Sequence, residues 1–285
     1  MDTYTHGHVD AVLQSHRWRT VENSAAYLAP HLRPGLDVLD VGCGPGTITV
    51  DLAARVAPGR VVGLDVSPAP LDEARALAGQ AQVAVEFAVG DVYRLAADDA
   101  SFDVVHAHQV LQHLTDPVAA LREMARVCRP GGLVAVRDVD YAATTWFPAS
   151  AGLDRWLELY HQVARRNGAE PDAGRRLRSW AHAAGLRDVV ATTGAWCYAT
   201  PAERAWWGRS WAGRATASAF AEQAVAYGLA TTAELEDVAA AWLDWADADD
   251  GWLGMLHGEL LIRTEDPAAP HHPHARGGTR QRGPA

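Results

Sequence analysis

The sequence predicts an α/β protein built on a doubly wound, mostly parallel sheet. Short apolar runs alternate with helical stretches between residues 36 and 140. Runs such as Val61-Val62-Gly63-Leu64 are apolar at successive positions, as strands buried on both faces require. The first run also leads straight into a glycine-rich turn that opens a helix, in LDVGCGPGTITVDLA (residues 39–53).

The elements follow in order. A polar start precedes a helix around Trp18 to Ala29, closed by Pro34-Gly35. Strands are expected near 37–42, 60–65, 83–88, 102–107 and 132–138, with helices near 46–56, 68–79 and 116–128. Pro58-Gly59, Gly79 and Pro130-Gly131-Gly132 supply the stops. Helices resume at about 152–167 and 173–184, and VVATTG (189–194) reads as a strand. Residues 201–248 form a long helical stretch without strand signals, and GMLHGELLIRT (254–264) reads as the closing strand. The tail, 265–285, is rich in Pro, Gly and Arg without apolar periodicity and is expected to be disordered. His271, His272 and His274 lie there; a solvated tail is preferred to a metal site.

The totals exclude several classes. The chain has 285 residues, 48% of them apolar, enough for one large domain or two small ones. Its formal net charge is −10 and every Lys/Arg position is an arginine, which disfavours nucleic acid, where phosphate contacts dominate affinity. No polybasic cluster suits an anionic membrane, and no apolar stretch is long enough to span one. Cys43, Cys128 and Cys197 are too few and too scattered for a disulfide framework or a zinc motif. With a polar N-terminus, MDTYTHGHVD, the expectation is a reduced, cytoplasmic protein with no metal.

In an open α/β sheet, ligands sit at the carboxyl ends of the strands. The dinucleotide fingerprint is G-x-G-x-x-G, but here the glycines are Gly42, Gly44 and Gly46, so the third arrives one residue early. Asp40 stands at the strand end, where a carboxylate would repel a pyrophosphate and suit a cation. S-adenosylmethionine (SAM) carries an ammonium, a carboxylate and a sulfonium and no phosphate, so the turn fits SAM better than NAD. Asp65 ends the second strand, where an acid can accept both ribose hydroxyls. Asp91 follows the third strand and can accept from an adenine amino group while Val92 packs on the ring. HAHQVLQHL (106–114) ends the fourth strand, and Arg137-Asp138 the fifth. In Ser15-His16-Arg17-Trp18-Arg19, an arginine could clamp the SAM carboxylate, with Arg19 preferred to Arg17.

LDVGCGPG, VVGLDVS, GDV, FDVVHAHQVLQHL and RPGGLVAV together resemble the successive motifs of the class I SAM-dependent methyltransferases. The nearest branch is that of the menaquinone and ubiquinone biosynthesis methyltransferases and their small-molecule relatives. The resemblance is strong over residues 36–140 and weak on to 264. It implies a Rossmann-like seven-stranded sheet whose last strand is antiparallel. It also implies that the turn, with Gly42, Cys43, Gly44 and Gly46, holds the methionine moiety. Asp65 with Val66 would hold the ribose and Asp91 with Val92 the adenine, while His108 and Gln109 would line the methionine portion. The departure is a helical insert of about fifty residues before the last strand. The expected organisation is then a segment 1–35 covering the cofactor, with Tyr4 in reach of it, and a SAM-binding core 36–199. A helical lid 200–252, the last strand 253–264 and the tail 265–285 complete it.

Methyl transfer from a sulfonium is an in-line displacement in which positioning can supply much of the rate. If the nucleophile holds a proton, a base is needed. His113 is the first candidate, then His108 and Tyr141; His106, Asp138 and the N-terminal Tyr4, His6, His8 and His16 are weighed too. Ten of the eleven tryptophans follow residue 145. Most are expected to pack the insert onto the sheet. Trp206 or Trp207, with Tyr141 and Trp146, are expected to line a pocket for a bulky aromatic acceptor such as an indole, phenol or quinone. The expected activity is methylation of such a natural product in secondary metabolism, with a small molecule as partner and a homodimer left open. The competing functions are an RNA methyltransferase, which the charge opposes, and a SAM-binding protein without transferase activity, as a regulatory subunit or a cyclase.

Overall fold

The computed structural model describes residues 17–265. The calls on Tyr4, His6, His8, His16 and the tail from 266 onward lie outside those residues. The core sheet comprises β1 (Val38–Val41), β2 (Val61–Asp65), β3 (Glu86–Val89), β4 (Phe102–His108), β5 (Cys128–Val139), β7 (Asp188–Tyr198) and β8 (Trp252–Arg263). A short β6 (Thr145–Phe147) adds an eighth strand to the seven expected. The order β3-β2-β1-β4-β5 is parallel throughout. β8 then runs antiparallel to β5, and β7 pairs the other edge of β8 in antiparallel fashion. β6 lies along the β5 side of β8, beyond the end of β5.

The central strand β1 is buried along its whole length, with Leu39 registered against Val62 on one side and Val105 on the other. Its apolar residues Val38, Leu39 and Val41 have this cause: helices α2 (Thr47–Val56) and α3 (Leu71–Ala81) follow β1 and β2, and α4 (Pro117–Val127) follows β4. α3 begins after Pro68 and Pro70, which delay it beyond the expected residue 68. Asp116 caps α4 by accepting from the Ala119 N–H, and Pro117 occupies the first turn, where its missing N–H costs nothing.

The first predicted helix is shorter than its pattern. Only α1 (Val21–Ser24) is α-helical, and Ala29–His31 is a separate 3-10 turn. Asn23 and Ser24 are weak helix formers, and Pro30 cannot continue a helix interior. α5 (Ala151–Arg166) and α6 (Ala173–Ala183) precede β7. The expected single helical stretch is three helices, α7 (Pro201–Ala217), α8 (Ala219–Ala226) and α9 (Thr232–Asp247). Ser218 takes an extended conformation and caps α8, while Gly228 has φ +69°. Thr200 with Glu203 and Thr231 with Glu234 form capping boxes at the starts of α7 and α9.

The insert builds its own core with α5. Trp156, Trp211 and Trp242 are fully buried and meet edge-on or stacked, with centroids 4.7 to 5.9 Å apart. Among the described residues no helix is long and apolar enough to cross a membrane, and no group of three or more His, Cys, Asp or Glu could hold a metal ion.

Candidate active site

A cleft of about 330 Å³ opens at the carboxyl ends of β1 to β4. Its floor is the turn after β1. Gly42, Gly44 and Gly46 have φ of +69°, +54° and +79°, all in the left-handed region. Gly42 and Cys43 donate to the Leu64 carbonyl oxygen at 2.7 and 3.0 Å, and the Gly46 N–H returns to Cys43 O at 3.0 Å. A Cβ on Gly42 would collide with Cγ2 of Val110, so only glycine lets the turn lie this close to the β4 end.

Asp65 fastens the turn to β2. Its Oδ2 accepts from the Gly44 N–H at 3.0 Å and its Oδ1 from the Ser67 N–H at 2.9 Å. Asp40, 3% exposed, accepts from the Thr49 hydroxyl at 2.5 Å and from Nδ1–H of His106 at 2.7 Å. His106 thereby belongs to the floor, braced beneath the turn. Asp91 accepts from the Tyr93 N–H at 2.9 Å, and Val92 is buried beside it.

The cleft wall is held by a chain of hydrogen bonds that crosses three elements. Nη2 of Arg19 donates to Oε1 of Gln109 at 2.8 Å. The Gln109 side-chain amide lies 2.9 Å from Nε2 of His257, whose Nδ1 lies 3.0 Å from Met255 O. A carbonyl only accepts, so His257 carries its proton on Nδ1 and accepts from Gln109 on Nε2. Gln109 itself has φ +55°, which turns it from β4 toward Arg19. Arg19 also lies over Trp196, 5.6 Å from its centroid. Arg17 pairs instead with Glu73 of α3, so Arg19 is the arginine of this segment that faces the cleft.

The histidines of the cleft are held neutral. Burial, reinforced by the Arg19 charge, pushes His113 down to about 3. Burial, with Arg19 and Arg137, places His108 well below the usual imidazole range. His257 is lowered for the same first cause. Asp138, wholly buried, is pushed up to about 7 by burial; its Oδ1 accepts from the Gln112 N–H at 3.2 Å and so steadies the 3-10 turn Leu111–His113. Burial also raises the Tyr141 phenol above its ordinary range.

Most expected site residues meet here. Arg19, Asp40, Gly42, Cys43, Gly44, Asp65, Val66, Asp91, Val92, His108, Gln109, His113, Tyr141 and Trp207 all line the cleft. Gly46 does not; it heads α2, and a Cβ there would press on Ala74 and Phe87, so its lack of a side chain serves helix packing. Trp206 and Trp146, expected at the acceptor wall, are elsewhere. Trp206 packs on Trp18, Tyr198 and Trp207, and Trp146 meets Trp156 edge-on. Sequence reasoning missed Trp196, Arg214 and Met255, which line the cleft, and His257, which supports it. Trp196 and Met255 are register partners on β7 and β8, so that pairing was the signal needed to find them.

Acids thus stand at or just beyond the ends of β1, β2 and β3, all lining the cleft together with the glycine turn. Residues 39–136 match the model of a family described as a methyltransferase domain. An uncharacterized methyltransferase of Schizosaccharomyces pombe is 33% identical over 92% of this chain and 97% of its own length. A ubiquinone biosynthesis O-methyltransferase of Hahella chejuensis is 41% identical over 34% of this chain and 41% of its own. The solved YcgJ protein of Bacillus subtilis shares the fold with a TM-score of 0.55 and 19% identity, over 85% of this chain and 98% of that one. The glycine turn, the strand-end acids and the similarity over 92% of the chain agree: the chain belongs to the class I SAM-dependent methyltransferases.

Proposed function

We propose that the protein methylates a small aromatic acceptor, of the indole, phenol or quinone kind. The observation that carries this reading is the aromatic wall of Tyr141, Trp196 and Trp207, which faces the same cleft as the strand-end acids. Flat rings bury large areas and favour aromatic partners by about 0.5–1.5 kcal/mol per pair beyond area. In this reading Asp65 and Val66 hold the ribose, and Asp91 and Val92 the adenine. The turn from Gly42 to Gly44, with Asp40, Arg19, His108 and Gln109, holds the methionine portion. Bound SAM supplies an electrophilic methyl on a good leaving group.

The chain's own contribution is then chiefly positioning. A proton on His113 at pH 7, with a pKa of about 3, stands about 5 kcal/mol uphill, at about 1.36 kcal/mol per unit. His113 and His108, neutral in the free protein, then act as hydrogen-bond partners that orient the acceptor. Tyr141, with its phenol kept protonated, is a donor and a wall.

The test is a panel of matched aromatic and aliphatic acceptors, read by release of S-adenosylhomocysteine. Aromatic acceptors should dominate, and Trp207→Phe should raise their KM with SAM affinity intact. Trp206→Ala, away from the cleft, should leave KM nearly unchanged. Turnover confined to aliphatic acceptors would reject the reading.

A further inference from the structure

Three elements far apart in sequence are joined by the line of hydrogen bonds along the cleft wall. It starts at Arg19 before α1, passes Gln109 at the end of β4, and finishes on β8 at His257 and Met255. The line admits one polarity. The Met255 carbonyl can only accept, so the His257 proton sits on Nδ1 and Nε2 presents a lone pair. That lone pair takes an N–H of the Gln109 carboxamide, which leaves the Gln109 oxygen toward Nη2 of Arg19 at 2.8 Å. A reversed carboxamide would set its NH2 against the Arg19 donor and its oxygen against a bare nitrogen, and both bonds would be lost. The two ends of a carboxamide are nearly alike in shape, so packing alone does not choose between them. His257 chooses.

The fold holds His257 in place for this. It is fully buried, in register with Val139 of β5 on one side and Gly194 of β7 on the other. Its ring centroid lies 4.4 Å from that of Trp196 and 6.3 Å from that of His108. Burial, with the Arg137 charge, keeps the ring neutral, so Nε2 stays bare at neutral pH. Gln109 and Arg19 line the cleft, and His257 stands behind them.

We propose that His257 is a positioning residue for the methyl donor: from behind the cleft it fixes the Gln109 carboxamide, and through it Arg19, so that the amino-acid end of SAM meets a preset site. This rests on the reading that Arg19 and Gln109 hold the methionine portion. A side chain ordered before binding need not be ordered by binding, and the gain appears as affinity for the part of the ligand it serves.

Two probes separate that part from the rest. S-adenosylhomocysteine carries the amino-acid end; 5′-methylthioadenosine has the same adenine, ribose and thioether without it. Calorimetry on the full chain gives both Kd values, and wild type should prefer S-adenosylhomocysteine by about tenfold or more. His257→Asn keeps a donor for the Met255 carbonyl but is too short to accept from Gln109. It should weaken S-adenosylhomocysteine about fivefold and methylthioadenosine by less than about twofold. His257→Gln puts an amide oxygen near the place of Nε2 and should stay within about twofold of wild type for both probes. In an Arg19→Met background, His257→Asn should cost no more than about twofold further, because its effect passes through Arg19. Equal loss of both probes in His257→Asn, unchanged S-adenosylhomocysteine affinity, or full additivity with Arg19→Met overturns the assignment of His257 while leaving the donor site standing. Equal wild-type affinity for the two probes overturns the reading beneath it, that Arg19 and Gln109 hold the methionine portion, and this inference with it. If His257→Asn fails to fold, nitrogen NMR of the wild-type ring decides. A proton on Nδ1 alone, with an Nε2 resonance that moves on adding S-adenosylhomocysteine but not methylthioadenosine, is the expected result; a proton on Nε2, or the same response to both probes, overturns the assignment.

Discussion

Asp65→Ala separates two jobs of one carboxylate. Its bonds to the Gly44 and Ser67 N–H groups, at 3.0 and 2.9 Å, need no ligand. Their loss is therefore a loss of folding stability. Asp65 is half-buried, so we expect about 1–3 kcal/mol from the pair, at the low end of charge-assisted bonds. In a chain of this size each kcal/mol lowers Tm by about 2–4 °C. The ribose bond proposed for Asp65 would exist only in the complex, and its loss would appear in Kd. One charge-assisted bond contributes about 1.5–3 kcal/mol, which raises the Kd for SAM roughly 10–150-fold. Titration calorimetry gives the Kd, and scanning calorimetry without SAM gives the Tm. A variant that melts several degrees early but binds SAM within about twofold of wild type refutes the ribose assignment and leaves Asp65 as a clamp of the turn.

Other perturbations test other parts of the structure. Gly42→Ala meets both a φ of +69° and the Val110 side chain, so SAM affinity measured by calorimetry should fall about tenfold or more, with a loss of about 1–2 kcal/mol in stability. Gly258→Ala drives a methyl into the Gly174 carbonyl where α6 meets β8, and backbone cannot swing aside. It should cost about 3 kcal/mol in a denaturant melt, whereas Gly79→Ala in α3, with open space around it, should be neutral or slightly stabilising. On acidification, His108, His113 and His257 gain protons in the unfolded chain near pH 6.5 but resist them when folded, so stability is lost as pH falls below about 6.5. Asp138, raised to about 7, works oppositely, its contribution being lost as pH rises from about 4 to 7; three groups outweigh one. Denaturant melts between pH 4 and 6 should show the acid loss, and His113→Asn should flatten it by up to one proton, about 1.4 kcal/mol per pH unit.

The strands from 36 to 140 were legible because Pro and Gly stops close the helices between them, at Pro58-Gly59, Gly79 and Pro130-Gly131-Gly132, and the acids at the strand ends became candidate site residues as soon as the boundaries were drawn. β6 escaped notice: three residues before Pro148 leave no periodicity to read. Ser218 and Gly228 divide the insert, yet neither interrupts a pattern strongly enough to reveal it from one sequence. The acceptor side was less legible for a geometric reason. Trp206 and Trp207 are neighbours about 100° apart on α7, so one faces the cleft and the other faces Trp18. Composition cannot choose between them; the docking of α7 does. Arg214 has the same difficulty, since an arginine on a helix ordinarily points to solvent.

The insert leaves and rejoins the sheet at facing residues. Tyr198 closes β7, Leu253 lies near the start of β8, and the two are register partners. A chain that departs and returns at one rung of a ladder can be lengthened, shortened or exchanged with little strain on the strands that carry it, because ends already in contact add little closure entropy. Everything on β1 to β3 would be untouched by such an exchange. The fold is thereby disposed to evolvability: on the proposed division of the cleft, the acceptor half can drift toward new acceptors by swapping a cassette, while the methyl-donor half is inherited intact.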